Sequence, residues 1–270
     1  MNLKISLIMA TLNRKVEVKK MLNSLSKQTY KNFEVIIVDQ NKENFLEDII
    51  NSFENLDIKH IRIEKKGLSL ARNIGLGYID GEIVGFPDDD CQYKDDTLEE
   101  VVKFFYENRK IGAVTGTAIG NINEKRKENK ITFIDKYSIW KKGISFTMFF
   151  RKSVVDKIGK FDEALGVGSG TLFGSGEETD YMLRIIEKKI PICNTHKILV
   201  YHPPIEQWDD NIIHKKIYSY AKGRMYVLKK HNYSRLYIFS SRCYSIIKLL
   251  RYFYDKKKRK IYLYEFMGKF

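Results

Sequence analysis

The sequence predicts an α/β fold built on a doubly wound, mostly parallel sheet flanked by helices, followed by a basic helical tail. Three observations predict it. Short apolar runs alternate with amphipathic segments of helical length through the first 110 residues, the pattern of βα units. Acidic residues follow those runs directly, at Asp39 and at Asp88–Asp90, and such sheets bind ligands beyond the carboxyl ends of their strands. Charge is also partitioned. Of 48 Lys/Arg and 34 Asp/Glu, residues 214–270 hold 16 basic side chains against Asp255 and Glu265, together with 10 of the 17 tyrosines. Residues 1–213 are neutral.

The elements follow in order. Leu3–Met9 reads as a buried strand, and Asn13 as the N-cap of a helix on which Val18, Met21, Leu22 and Leu25 share a face. Phe33–Val38 is a second strand, ending on Asp39. Ile58–Ile63 is a third, ending near Gly67. Leu68–Tyr78 is helical, and Glu82–Phe86 is a fourth strand that runs into the aspartate triplet. Asp95, Asp96 or Thr97 caps a helix aligning Leu98, Val101, Val102 and Phe105. Gly112–Gly120 reads as a strand, whereas residues 121–146 are polar and carry no clear period. A glycine-rich loop at 166–178 leads into a helix over Thr179–Lys189. Strand-like runs Ile190–Thr195 and Ile198–Tyr201 then stop at His202-Pro203-Pro204. The clearest boundary is the composition shift near residue 210, which suggests a body over 1–213, in halves 1–110 and 111–213, and a tail over 214–270.

Several function classes are excluded. With 43% hydrophobic and 30% charged residues, the chain is neither disordered nor collagen-like, and it can build a sizeable core. No apolar run approaches the length of a membrane-crossing helix, and the opening is too short and polar for a secretory signal. Cys91, Cys193 and Cys243 are odd in number and scattered, giving no disulfide framework or zinc pattern and fitting a reducing cytosol. The glycine-rich loop has no Walker lysine and no GxGxxG.

Each candidate residue has a bland reading beside the sharp one. Adjacent Asp88, Asp89 and Asp90 repel one another unless a cation or donors offset them, and hard divalent cations take such oxygen ligands. They could equally form a solvated acidic turn. Asp39 either ends a strand or accepts from a nucleoside. Glu177, Glu178 and Asp180 suit a helix N-terminus by the dipole alone, and a catalytic base would look the same. His202 is structural unless it meets the carboxylates at a metal. The glycine-rich loop is a mobile connection, and long loops of that kind can serve as lids.

Taken together, these segments resemble family-two glycosyltransferases of the GT-A fold. ISLIMATLNR is similar to the opening strand and turn, and FEVIIVDQN to the second strand with its nucleotide-binding Asp. KKGLSLARNIGLGYIDGEIVGFPDDDC resembles the segment leading to the DxD motif. FDEALGVGSGTLFGSGEETDYMLRIIEKK resembles the acceptor-side loop and base-carrying helix, LVYHPP the strand-end histidine, and YSYAKGRMYVLKKH the helix after it. The resemblance spans residues 3–231. It implies inverting transfer of a sugar from a nucleotide donor, most often a UDP-sugar, to an acceptor hydroxyl. Thr11 and Asp39 would hold the base and ribose, with Arg72 near the base or diphosphate. Asp88 and Asp89 would contact ribose and sugar-nucleotide oxygens. Asp90, with His202, would bind a divalent cation, Mn²⁺ or Mg²⁺. Glu178 would be the catalytic base, with Glu177 and Asp180 as possible supporting acids. The chain departs from the pattern at Ala10 and Leu12 in the first turn, at Gln40, and at Glu178, one methylene longer than the usual aspartate.

The tail combines YIFSSRCYSIIKLLRYFY with the KKKRK run at 256–260, a composition suited to an anionic membrane interface. Nucleic-acid binding and plain packing on the body are the other readings, and the neutral, acidic-clefted body argues against nucleic acid. With the resemblance, the expectation is an enzyme peripheral to the cytoplasmic membrane face. It would extend a lipid-linked saccharide for a capsule, exopolysaccharide or O-antigen. The alternative is a non-catalytic sugar-nucleotide-binding or scaffold protein on the same fold.

Overall fold

The computed structural model describes residues 2–42, 44–125, 130–203 and 210–270. Residues 126–129 of the polar stretch, Pro204 and the composition boundary up to residue 209 lie outside them. Two compact units make up the chain. One comprises Met1–Lys66, Leu70–Phe161 and Tyr181–Pro204; the other comprises Gly67–Ser69, Asp162–Asp180 and Ile205–Phe270.

The first unit holds the sheet. Its strands are β1 (Ile5–Thr11), β2 (Phe33–Asp39), β3 (Ile58–Arg62), β4 (Ile83–Gly85), β5 (Gln92–Tyr93), β6 (Ala113–Ile119), β7 (Thr132–Phe133), β8 (Met148–Arg151) and β9 (Ile192–Tyr201). The order is β3-β2-β1-β4-β8-β6-β9-β5, with β7 also on β9. Strands β3, β2, β1 and β4 are mutually parallel, as the βα pattern predicts. Past β4 the sheet becomes mixed: β8 is antiparallel to both β4 and β6, β6 is parallel to β9, and β5 and β7 are antiparallel to β9. The two runs expected at 190–201 form one continuous strand.

Alternation along β1 divides the core. Leu7 and Met9 join Val35 and Ile37 in a cluster with Val18, Met21, Leu22 and Leu25 of α1 (Lys15–Ser26). Leu98, Val101 and Phe105 of the Thr97–Glu107 helix close the same cluster. Ile8, on the opposite face, meets the Leu68–Gly75 helix so closely that a Cβ on Gly75 would lie 2.4 Å from its Cγ2. Asn13 does not cap α1: it has φ 58, and Arg14 occupies the cap position without a side-chain cap bond.

Buried within β2, Glu34 is held at the amino ends of the parallel strands. Its carboxylate accepts from Ser6 Oγ (2.5 Å) and the Asp80 amide (2.8 Å), and pairs with Lys4 and Lys59, each at 3.0 Å. Burial opposes its charge. These four donors outweigh that and lower its pKa to about 2.

In the second unit, helices run over Asp210–Lys230, Arg235–Arg251 and Lys256–Lys269. The last packs on both others. A Cβ on Gly268 would lie 2.5 Å from Tyr218 O, so glycine is required where these helices touch. Among the described residues, no helix is long and apolar enough to cross a membrane.

Candidate functional site

At the carboxyl ends of the parallel strands, the first unit assembles the residues expected to bind donor and metal. Asp39 ends β2 and is buried. Its Oδ1 accepts from the Asn41 amide (2.8 Å) and side chain (2.6 Å), and its Oδ2 meets His60 Nε2 of β3 at 2.9 Å. Burial pushes its pKa up, but the bonds from His60 and Asn41 prevail and hold it below the ordinary aspartate value. Beside it opens a cleft of about 1080 Å³ whose lining includes Leu12, Asn13, Gln40, Phe45 and Arg62. Phe45 supplies an aromatic ring to this cleft, where the first turn offers only Leu12.

Beyond β4, each aspartate of the triplet has its own partners. Asp88 accepts from the buried Arg72 at 3.2 Å and from Ser145 Oγ at 3.3 Å. Arg72 lies over the rings of Phe86 and Phe161, at 5.9 and 5.6 Å from their centroids. Asn73 next to it exchanges two hydrogen bonds with the Phe161 backbone, at 3.0 and 2.7 Å. Asp89 is buried and paired with Arg14 at 3.1 Å. Desolvation pushes its carboxyl up to about 7, opposed by Arg14 and the Thr11 hydroxyl and reinforced by its two aspartate neighbours. Asp90 pairs with Arg14 as well, and its Oδ1 faces His202 Nε2 at 3.5 Å.

His202 is oriented by a second contact. Its Nδ1 lies 2.7 Å from Pro203 O, which can only accept, so Nδ1 carries the proton. In the neutral ring Nε2 then presents a lone pair to the Asp90 carboxylate, and the ring stacks on Phe146 with centroids 5.0 Å apart. Donor atoms of Asp90, Cys91 and His202 all lie within 4.8 Å of one another. The donor set fits a divalent cation: one carboxylate oxygen and one imidazole with its far nitrogen fixed by a carbonyl. Burial and the adjacent aspartates push the Cys91 thiol well up, so it stays protonated and is a poor ligand.

The second unit gathers the other acidic group at the start of the Glu177–Glu187 helix. The three acids differ. Asp180 is fully buried and accepts from Lys230 Nζ (2.7 Å) and His231 Nε2 (2.9 Å). Glu177 is buried with its carboxylate against Gly166, and Glu178 alone is half-buried. Lys230 also pairs with Asp162 at 2.7 Å, which Tyr226 reaches at 3.3 Å. The Asp210–Lys230 helix thereby holds both ends of the glycine-rich loop. Within that loop, the Gly174 amide donates to Ser219 O (3.2 Å) and Ser175 Oγ to Tyr220 O (3.1 Å). At its start, the Leu68 amide donates to Val167 O (2.9 Å) and Ser69 Oγ to Leu165 O (2.7 Å). A loop stitched at this many points differs from the mobile connection its glycines suggest.

Sequence reasoning passed over Arg14, His60, Lys230 and His231. Arg14 directly follows the Asn13 turn and was legible as a cation near a strand end. The other three become partners only through tertiary structure.

Comparison with known proteins identifies the family and the fold. The model of glycosyl transferase family 2 matches residues 6–166. The glycosyltransferase AglE of Haloferax volcanii is 26% identical over 220 residues, covering 74% of this chain and 66% of that protein. Only 15% of the length of the glycosyltransferase GlyA of Streptococcus pneumoniae is matched, at 35% identity over 37% of this chain. The chain thus spans about two thirds or less of these relatives. Among solved structures, Staphylococcus aureus TarS 1–349 with UDP aligns with TM-score 0.61 at 19% identity, covering 97% of this chain and 90% of that one. A mannosyltransferase from Pyrobaculum calidifontis with GDP-Man and Mn²⁺ aligns with TM-score 0.66 at 16% identity, over 85% and 64% of the two chains. At those identities the structures establish a shared GT-A fold. With the family model covering more than half its residues, the chain belongs to glycosyl transferase family 2.

Proposed function

We propose that this chain transfers a sugar, with inversion, from a nucleoside-diphosphate sugar to a hydroxyl of a lipid-linked saccharide, and that the donor is a UDP-sugar. The observation that carries this reading is the pairing of the Asp39 cleft with the Asp88–Asp90 and His202 group at the carboxyl ends of parallel strands. Asp39 accepts from the nucleoside, with Thr11 beside it. Arg72, Asp88 and Asp89 orient the ribose and the sugar nucleotide. Asp90 and His202 would hold a divalent cation, Mn²⁺ or Mg²⁺, which would supply positive charge against the diphosphate leaving group. Arg14 pairs with Asp89 and Asp90.

Glu178 is the general base. Of the three acids in its turn, it alone is half-exposed, whereas Glu177 and Asp180 are buried. It takes the proton of the acceptor hydroxyl as that oxygen attacks the anomeric carbon and the carbon–oxygen bond to the diphosphate breaks. Glu177 and Asp180 support the helix start. A lipid-linked acceptor for a surface polysaccharide brings the enzyme to the cytoplasmic membrane face, and the basic residues of 214–270 serve that association.

Calorimetric titration with UDP tests the site. Micromolar binding in Mn²⁺ that disappears in EDTA is the expected result. Absence of binding in both conditions, with GDP or dTDP binding instead, overturns the donor assignment. Absence of binding by all three favours the scaffold reading.

A further inference from the structure

The Arg235–Arg251 helix is built inside out. Its inner face carries Ser245, fully buried, with Arg242 donating to Lys269 O (2.9 Å) and Lys248 paired to Glu265 (3.5 Å). Its large aliphatic and aromatic side chains point away. Leu236 is 76% and Leu250 67% exposed, and Phe239, Ile246 and Ile247 are exposed with them. At helical spacing these five fall within an arc of roughly 100°. A continuous apolar stripe left in water on a folded unit marks an interaction surface.

Charge decides the partner. Arg235 and Arg251 are exposed at the two ends of the stripe, and Lys256, Lys257 and Lys258 follow at the start of the next helix. Of the two acids in this region, Asp255 caps that helix and Glu265 is turned inward to Lys248 and Lys269. We propose that this stripe and its basic flanks dock in the interface of an anionic lipid bilayer, the helix lying in the membrane plane. A second copy is disfavoured, because each would present the same strongly positive face. A polynucleotide is disfavoured because four of the five stripe side chains are aliphatic and offer bases no stacking platform. This rests on the preceding reading only for its purpose, since a lipid-linked acceptor lies at the same surface. It also narrows the membrane-facing segment to about residues 235–260. The Asp210–Lys230 helix is engaged with Asp162 and the glycine-rich loop in its own unit.

The test is cosedimentation of the full chain with vesicles of phosphatidylcholine alone or mixed with phosphatidylglycerol, without donor or acceptor. Binding to the mixed vesicles is expected, falling about tenfold or more in Ile247→Glu/Leu250→Glu and severalfold in Lys256→Gln/Lys257→Gln. Unchanged far-UV circular dichroism and thermal unfolding in the same variants show that they fold. Equal binding of wild type and the Ile247→Glu/Leu250→Glu variant to mixed vesicles overturns the proposal. A wild-type dimer that the same variant dissociates, without vesicle binding, assigns the stripe to a second copy and also overturns it. Because no turnover is measured, the vesicle result is independent of whether the transferase reading stands.

Discussion

Two acidic triads, Asp88–Asp90 at a strand end and Glu177, Glu178 and Asp180 at a helix start, look alike in sequence and are held differently. In the first, every carboxylate has a cationic or imidazole neighbour: Arg72 for Asp88, Arg14 for Asp89, Arg14 and His202 for Asp90. In the second, Lys230 and His231 both converge on the fully buried Asp180, and Glu178 is half-buried. The difference teaches that acidity alone does not identify a role. A triad in which one partly exposed arginine, Arg14, pairs with two carboxylates suits exchange of that arginine for a metal. A triad with one locked acid and one half-buried acid gives its members unequal access to solvent.

The largest effects separate the two triads outright. Glu178→Gln should lower transfer by about 10³-fold, within the range for loss of a general base, with UDP affinity unchanged. Asp90→Ala should do the converse and abolish the Mn²⁺-dependent part of UDP binding. Calorimetry and product assay on both variants check this, and a Glu178→Gln enzyme working near the wild-type rate would remove the base assignment. A smaller effect sharpens the role of the locked acid. His231→Ala should reduce kcat about tenfold with donor KM little changed, and His231→Gln, which keeps an N–H donor, should recover much of the loss. A fall in donor affinity instead would show a role outside the base helix.

Glu34 gives the cleanest contrast, a buried carboxylate with no catalytic part. Its folded pKa of about 2 lies below the unfolded value of 4.5, so its stabilisation is full above pH 4.5 and disappears as pH falls toward 2. Glu34→Gln should therefore cost about 3 kcal/mol at pH 7 and almost nothing near pH 2. Urea unfolding of both proteins across that range checks it. A gap that stays constant with pH would mean that packing, not charge, holds this residue.

Much of the site was legible because its residues lie where strand periodicity stops. Asp39 ends a run of seven buried positions, and Asp88 follows directly on the buried run through Pro87. Less could be read where order depends on distant segments. Met148-Phe149-Phe150 is an apolar run that periodicity alone does not resolve, and only tertiary structure inserts it antiparallel between β4 and β6. The break expected within 190–201 is a register shift between Thr115 and Thr117, filled by Asn194 donating to Thr115 and Gly116 carbonyls at 3.2 and 2.9 Å. Glu34 was hidden for a related reason: its four partners come from three separate segments.

The clamp on Asp180 also sets an order of events during synthesis. His231 lies 51 positions after Asp180, and Lys230 just before it, so both leave the ribosome long after the base-bearing segment. A nascent chain that has emerged only through the sheet still lacks the cations for a carboxylate that is buried in the finished fold, and a buried unpaired charge is strongly destabilising. The start of the Glu177–Glu187 helix is therefore completed late, when the Asp210–Lys230 helix has been translated. The turn that carries Glu177, Glu178 and Asp180 thus gains its full set of partners only after residue 231 has been translated.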